Sequence, residues 1–179
     1  YALDLSWWCA EVDAGQADAI NKGFSRAKGE IIAWLNSDDI YLPETFTKVA
    51  EIFAKNPDAG IIYGDVLSID ADGNPINIQH FVPYQLSDLM AFNIISQPAV
   101  FMRRSFLEQA GYLDLEYHFL LDHHLWLRMA QLAPMIYVPQ ILAKARYHAD
   151  AKNIAHAERF GKEAFKILDW METQPLMTN

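Results

Sequence analysis

The sequence predicts an α/β fold, and three observations carry that prediction. Strand-like and helix-like segments alternate from residue 5 to residue 63. The run Glu30-Ile31-Ile32-Ala33-Trp34-Leu35 is almost continuously apolar, as expected of a parallel strand buried on both faces. It stops abruptly at Asn36-Ser37-Asp38-Asp39, and ligands of open α/β sheets collect outside such carboxyl ends.

Each element has its own signal. Residues 5–10 read as a short strand and Glu11 to Gln16 as a polar loop. Ala17 to Lys28 has helical spacing through Ala19, Ile20, Phe24 and Ala27, and Gly29 closes it. After the strand at 30–35, Pro43 suits a first helical turn, and Phe46, Val49, Ile52 and Phe53 share one face of a helix over 43–55. Ala59 to Tyr63 returns as a strand, with Gly64-Asp65 at its end. Val66–Ile69 and Ile76–Val82 flank a turn-rich stretch, Asp70 to Pro75, that reads as a hairpin connection. That stretch lacks the following Glu of a calcium loop. Helices are expected at 84–91, at 103–110 ending on Gly111, and at 123–132 with Leu125, Trp126 and Met129 facing a core. Tyr137 to Pro139 and Leu142 to Tyr147 read as extended, and 150–170 as an amphipathic helix through Ile154, Phe160, Phe165, Ile167 and Leu168.

Composition narrows the function. The chain of 179 residues is long enough for one sizeable core, and 52% hydrophobic residues exclude general disorder. The net charge of −9 and the absence of a basic run argue against a nucleic-acid partner. Cys9 is the single cysteine, which fits a reducing, cytoplasmic setting and excludes an internal disulfide or a cysteine-rich zinc site. No stretch reaches the ~18 apolar residues that span a bilayer, which leaves peripheral attachment at the inner membrane face open.

Two adjacent carboxylates at a strand end repel one another unless a cation or a donor-rich ligand lies between them. Asp38 and Asp39 therefore point to an enzyme acting on a metal-bound, phosphate-containing substrate. Read alone, the pair equally closes an Asx turn and caps the helix at Pro43. Gln97 reads as a pocket residue, because Pro98 holds the backbone before it extended.

A longer pattern resembles family 2 glycosyltransferases. It runs through Glu11, Asp13, Gly15-Gln16, Asp18 to Phe24, Ala27, Gly29 to Asp39, Tyr63-Gly64-Asp65, Ser96 to Ala99, Arg103-Arg104, Asp122, Leu125 to Arg128, Arg146 and His148. The resemblance implies a GT-A-like mixed sheet flanked by helices in one domain over 1–179. It also implies a nucleotide-diphosphate sugar donor, a carbohydrate or lipid-linked acceptor, and transfer with inversion. The setting it implies is bacterial surface-polysaccharide or glycoconjugate assembly. The family ordinarily begins about 70–90 residues earlier, with a nucleotide-holding strand, loop and helix. The expectation is thus an N-terminally truncated catalytic and acceptor-side portion, inactive alone and self-associating as a dimer through an uncovered Leu5–Cys9 edge.

The resemblance also distributes roles. Asp38 and Asp39 stand at the family's Asp-x-Asp motif, with Asn36 in place of its first acid, and would hold Mg²⁺ or Mn²⁺. His148 is a third metal ligand or an interfacial histidine beside Tyr147. Arg146 and Lys152 would face the diphosphate, with Lys152 alternatively a surface residue. Asp122 would be the general base for the acceptor hydroxyl, or else only a helix cap; Leu121 replaces the Glu often found before it. Asp13, Gln16, Asn21 and Lys22 belong to the turn and helix opposite the donor, with Lys22 alternatively a solvated helix residue. Asp65 would meet sugar hydroxyls. His123 and His124 would be bystanders or line the sugar pocket, and Trp126 would fill the core. Two other readings compete: a non-catalytic carbohydrate-binding or assembly module, and a metal-dependent phosphohydrolase or nucleotidyltransferase.

Overall fold

A computed structural model describes residues 5–147 and 157–178. It is a mixed α/β fold: one six-stranded sheet with helices against both faces. The sheet comprises β1 (Ile31–Ile32), β2 (Ile40–Tyr41), β3 (Ile61–Ile69), β4 (Pro75–Gln79), β5 (Val100–Arg103) and β6 (Met135–Arg146). Their order is β1-β5-β3-β6-β2, with β4 beside the second half of β3.

β3 is the hub because it is apolar along its length and takes neighbours on both edges. Eight of its nine residues are buried. β6 runs parallel to it, whereas β4 and β5 are antiparallel. Side chains alternate across the pleat. Ile61 and Tyr63 enter a core shared with α1 (Gln16–Arg26), α5 (Leu121–Ala130) and α6 (Ala157–Glu172). Ile62 and Val66 face Val49 and Phe53 of α2 (Thr45–Lys55). The short helices α3 (Leu86–Met90) and α4 (Arg104–Ala110) complete the first layer.

The β3–β6 ladder slips between Gly64 and Val66. Gly64 is required there: a Cβ would lie 2.7 Å from the Gln140 carbonyl oxygen and from the Leu142 side chain. Pro139, lacking an N–H to donate, sits in the same irregularity. The two extended stretches expected around it are one strand, β6.

The sequence misplaces several elements. Residues 5–10 form no strand and lie exposed, Trp8 at 61%, so the expected Leu5–Cys9 sheet edge is absent. The Arg26 guanidinium of α1 lies over the Trp7 ring, 4.9 Å from its centre. The strand expected at 30–35 contracts to Ile31–Ile32, which pairs antiparallel with β5 at the margin of the sheet. Phe46, expected inside, is 64% exposed and packs edge-on against Tyr41 at the rim of the core. In α6, Phe165 and Leu168 are likewise exposed while Ile167 is buried. The portion of that helix expected before Ala157 lies outside the described residues.

The hairpin and the end of α4 match expectation, whereas α1 stops at Arg26, short of Gly29, and α2 starts at Thr45, two residues beyond Pro43. Asp70 closes the β3–β4 turn by accepting from the Asp72 and Asn74 backbone N–H groups and the Asn74 amide. That carboxylate is used as a turn lock, which also holds it below its ordinary pKa. α4 ends on Gly111 as the sequence indicates.

Candidate active site

A cleft of about 460 Å³ opens where four segments meet: the chain after β1, residues 94–98, the turn ahead of α5, and the end of β6. Its walls include Gln16, Trp34, Asn36, Asp38, Asp39, Gln97, Asp122 and Arg146. Beyond the acidic pair and Trp34, five residues singled out in the sequence line it, and long-range folding brings them together from positions 16 to 146.

The floor is an amide network centred on Asn36. Its Nδ2 donates to Asp39 Oδ2 at 3.1 Å and to Gln97 Oε1 at 3.3 Å, and its Oδ1 accepts from Gln16 Nε2 at 3.4 Å. Gln97 Nε2 in turn donates to the Trp34 carbonyl at 2.7 Å. Asn36 therefore links the α1 start, the acidic pair and the 97–99 turn. Trp34 stacks on buried Trp126 with centroids 5.4 Å apart, fixing the strand end against α5.

Asp39 accepts from the Arg146 backbone N–H at 3.0 Å as well as from Asn36. Burial raises its pKa and the neighbouring Asp38 charge adds to that, while the two donors and the Arg146 charge oppose it. The Arg146 guanidinium is turned to carbonyls: Nε donates to Asp38 O at 3.2 Å and Nη1 to Asp70 O and Ala71 O at 2.8 Å. Arg146 thus braces the acidic turn against the β3–β4 connection.

Asp122 is the second residue of α5 and lines the cleft. Burial pushes its carboxyl up to about 6, against the lowering effect of the His123 and Asp122 backbone N–H groups; the Glu163 charge raises it further. Oδ1 accepts from the His123 N–H at 2.7 Å. The N-cap position itself is Leu120, which has no side-chain oxygen to offer.

Other expected site residues lie elsewhere. Asp13 is exposed and accepts from the Gly15 N–H at 3.0 Å; Gly15, at φ 114°, makes the sharp entry into α1. Asn21 forms a reciprocal pair with the Leu113 backbone, at 2.8 and 3.0 Å. Lys22 pairs with Glu11 at 2.9 Å and Asp18 at 3.2 Å. Asp65 is 4% exposed and accepts from the Phe81 N–H, the Tyr137 hydroxyl and His80 at 2.8–3.0 Å. His123, His124 and Trp126 are core residues, at 0%, 3% and 0% exposure. His148 and Lys152 lie outside the described residues.

Sequence reasoning missed His118, Phe119, Ser96 and Tyr147 as cleft residues. Ser96 stood in the family pattern and Tyr147 beside His148, whereas for His118 and Phe119 nearness in the chain to Asp122 was the one available signal.

The chain matches the family model described as glycosyl transferase family 2 over residues 10–129. It is 28% identical over 149 residues to the amylovoran biosynthesis glycosyltransferase AmsE of Erwinia amylovora, with 80% of this chain and 54% of AmsE covered. It spans only 24% of an uncharacterized glycosyltransferase of Rickettsia conorii, to which it is also 28% identical. Among solved structures, S. aureus TarS 1–349 in complex with UDP-GlcNAc superposes with a TM-score of 0.68 at 15% identity, covering 90% of this chain and 48% of TarS 1–349. The mannosyltransferase PcManGT of Pyrobaculum calidifontis, in complex with GDP-Man and Mn²⁺, gives 0.56 at 16% identity, covering 83% and 43%. These likenesses place the fold in the GT-A class, and with a family match over well more than half of its residues the chain belongs to glycosyl transferase family 2.

Proposed function

We propose that the protein transfers a sugar from a nucleotide-diphosphate donor to an acceptor hydroxyl with inversion at the anomeric carbon. The observation that carries this reading is one cleft holding both a carboxylate pair in the turn ahead of β2 and a separate carboxylate with raised proton affinity. Among the described residues no group of three His, Cys, Asp or Glu side chains is placed to hold a metal. The donor set nevertheless fits a hard divalent cation: Asp38 and Asp39 are adjacent, and their mutual repulsion is what such a charge relieves. Mg²⁺ or Mn²⁺ bound there would neutralise the diphosphate of the departing nucleotide. PcManGT with GDP-Man and Mn²⁺, and TarS with UDP-GlcNAc, supply the first donors and ion to try. AmsE, named for amylovoran biosynthesis, supports a polysaccharide setting.

The chain's own residues divide the work. Asn36, through Gln16, Gln97 and Asp39, orients the acidic pair. Asp122 accepts the acceptor's hydroxyl proton as that oxygen bonds to the anomeric carbon and the bond to the diphosphate breaks. A carboxylate raised to about 6 is a stronger base than an ordinary one and stays ionised at neutral pH. In the intact protein that carries this chain, Asp122→Asn should retain donor affinity and lose about 10²–10⁴ in turnover. Single-turnover transfer from UDP-GlcNAc or GDP-Man measures it, and near-normal turnover would reduce Asp122 to a structural residue of α5.

A further inference from the structure

The turn that leads into α5 is held from another element. Leu120, at the N-cap of α5, offers no side-chain acceptor, and the backbone N–H groups of the turn before the helix need partners of their own. The carboxylate of Glu163, in the middle of α6, supplies them. Oε1 accepts from the His118 N–H at 2.8 Å, and Oε2 from the Phe119 N–H at 2.8 Å and the Leu120 N–H at 2.9 Å. Three consecutive backbone donors converging on one side chain form a concave anion cradle, here occupied by the protein's own carboxylate. The partners lie 43–45 residues apart in sequence.

That turn is a wall of the cleft: His118, Phe119, Leu121 and Asp122 all line it. Glu163 holds it from behind. The surrounding contacts keep α6 in place for the task. Lys166 pairs with Glu116 and lies 4.5 Å from the Tyr117 ring centre, Trp170 meets His124 edge-on at 4.6 Å, and Ile167 is fully buried.

We propose that Glu163 is a positioning residue for glycosyl transfer: by anchoring the His118–Leu120 turn it sets where Asp122 stands in the cleft. This rests on the reading of Asp122 as the base. The same carboxylate also places a negative charge near Asp122. The other ionisable groups on the elements around Asp122 are His118 and Tyr117 in the turn, Asp114 and Glu116 in the loop before it, His123, His124 and Arg128 on α5, Asp88 on α3, Glu158, Arg159, Lys162, Lys166, Asp169 and Glu172 on α6, and Asp38, Asp39 and Arg146 across the cleft.

Glu163→Gln tests the proposal, because it keeps the size of the side chain but removes the charge and one acceptor oxygen. Hydrogen exchange on the full 179-residue chain should speed up about tenfold or more at the amides of His118, Phe119 and Leu120, the scale of one lost hydrogen bond. Leu125 to Met129 should stay protected. In the intact protein, kcat should fall about tenfold with the donor KM unchanged, and the acid limb of kcat should move to lower pH as the repelling charge is lost. Unchanged exchange at the three amides overturns the anchor. Faster exchange with undiminished kcat, where Asp122→Asn itself abolishes turnover, overturns the positioning role. If Asp122→Asn retains turnover, the transfer reading of Asp122 fails instead, and the exchange result decides the anchor alone. Should Glu163→Gln not fold, Glu163→Asp gives the same test: its shorter reach should speed exchange at the three amides while the acid limb stays in place.

Discussion

At the scale of single residues, the cleft is organised by Asn36, a neutral side chain. Asn36 donates to Asp39, accepts from Gln16 and bridges to Gln97, so it holds Asp39 as an oriented acceptor without adding charge. Asn36→Asp would bring a third carboxylate to the same point. Without a cation that variant should melt lower than the parent, from repulsion. Added Mn²⁺ should then raise its melting temperature by more than it raises the parent's, since a ligand bound only by the folded state stabilises in proportion to its affinity. Differential scanning fluorimetry with and without Mn²⁺ reads both effects, and an equal response of the two proteins would remove the ion from this corner of the cleft. Asp39→Ala bears on the same corner from the other side. In the intact protein it should keep the fold and lose Mn²⁺-dependent heat of donor binding in calorimetry, whereas unchanged donor affinity would take Asp39 out of the metal site.

At the scale of elements, what was legible in the sequence depended on whether the signal was local. α1, α2, α4 and α5 appear within a few residues of their expected bounds, because apolar spacing and Gly or Pro punctuation act inside one turn or two. Strand sense and partners are not local quantities. Ile31–Ile32 is apolar enough for a parallel interior strand, yet its neighbour is antiparallel β5. The site was legible in the same uneven way. Asn36, Asp38, Asp39, Gln97 and Asp122 converge on one cleft, but Glu163 carried no local mark of its partners. Asp65, expected at a strand end, lies inside β3, which runs on to Ile69, and serves packing instead. It fastens the segment after β4 to β3 and β6 through Phe81, His80 and Tyr137. Asp65→Ala strands these donors and should cost about 2–3 kcal/mol. Urea unfolding checks this, and a variant with full stability but altered sugar binding would return Asp65 to the role the resemblance implied.

At the scale of the whole molecule, three neighbouring buried groups on α5 set how stability depends on pH. Burial lowers His123 to about 4, against the raising effect of the Leu89 backbone, and lowers His124 to about 3, where the Arg128 charge adds to the shift and the Asp114 carboxylate, 4.0 Å from Nδ1, opposes it. Each imidazole is therefore neutral in the folded chain while its unfolded counterpart, near 6.5, takes up a proton. Between pH 6.5 and about 4 the unfolded state binds more protons at these two sites, so stability falls as the solution is acidified. Asp122 acts the other way. Its folded pKa of about 6 exceeds the unfolded value of 3.8, so in the same window the folded state binds the extra proton and gains stability on acidification. Two histidines shifted by more than two units each outweigh one carboxyl shifted by about two, and the net expectation is loss of stability from pH 6.5 downward. The urea midpoint measured between pH 4 and pH 7.5 should decline towards acid. His124→Phe, which keeps an aromatic ring between Tyr117 and Trp170 and cannot be protonated, should flatten that decline. Asp122→Asn should steepen it by removing the opposing group, and should be the more stable protein at neutral pH, by at most about 3 kcal/mol. A midpoint independent of pH in the parent, or an unaltered slope in His124→Phe, would show that these rings meet water or a partner before the chain unfolds.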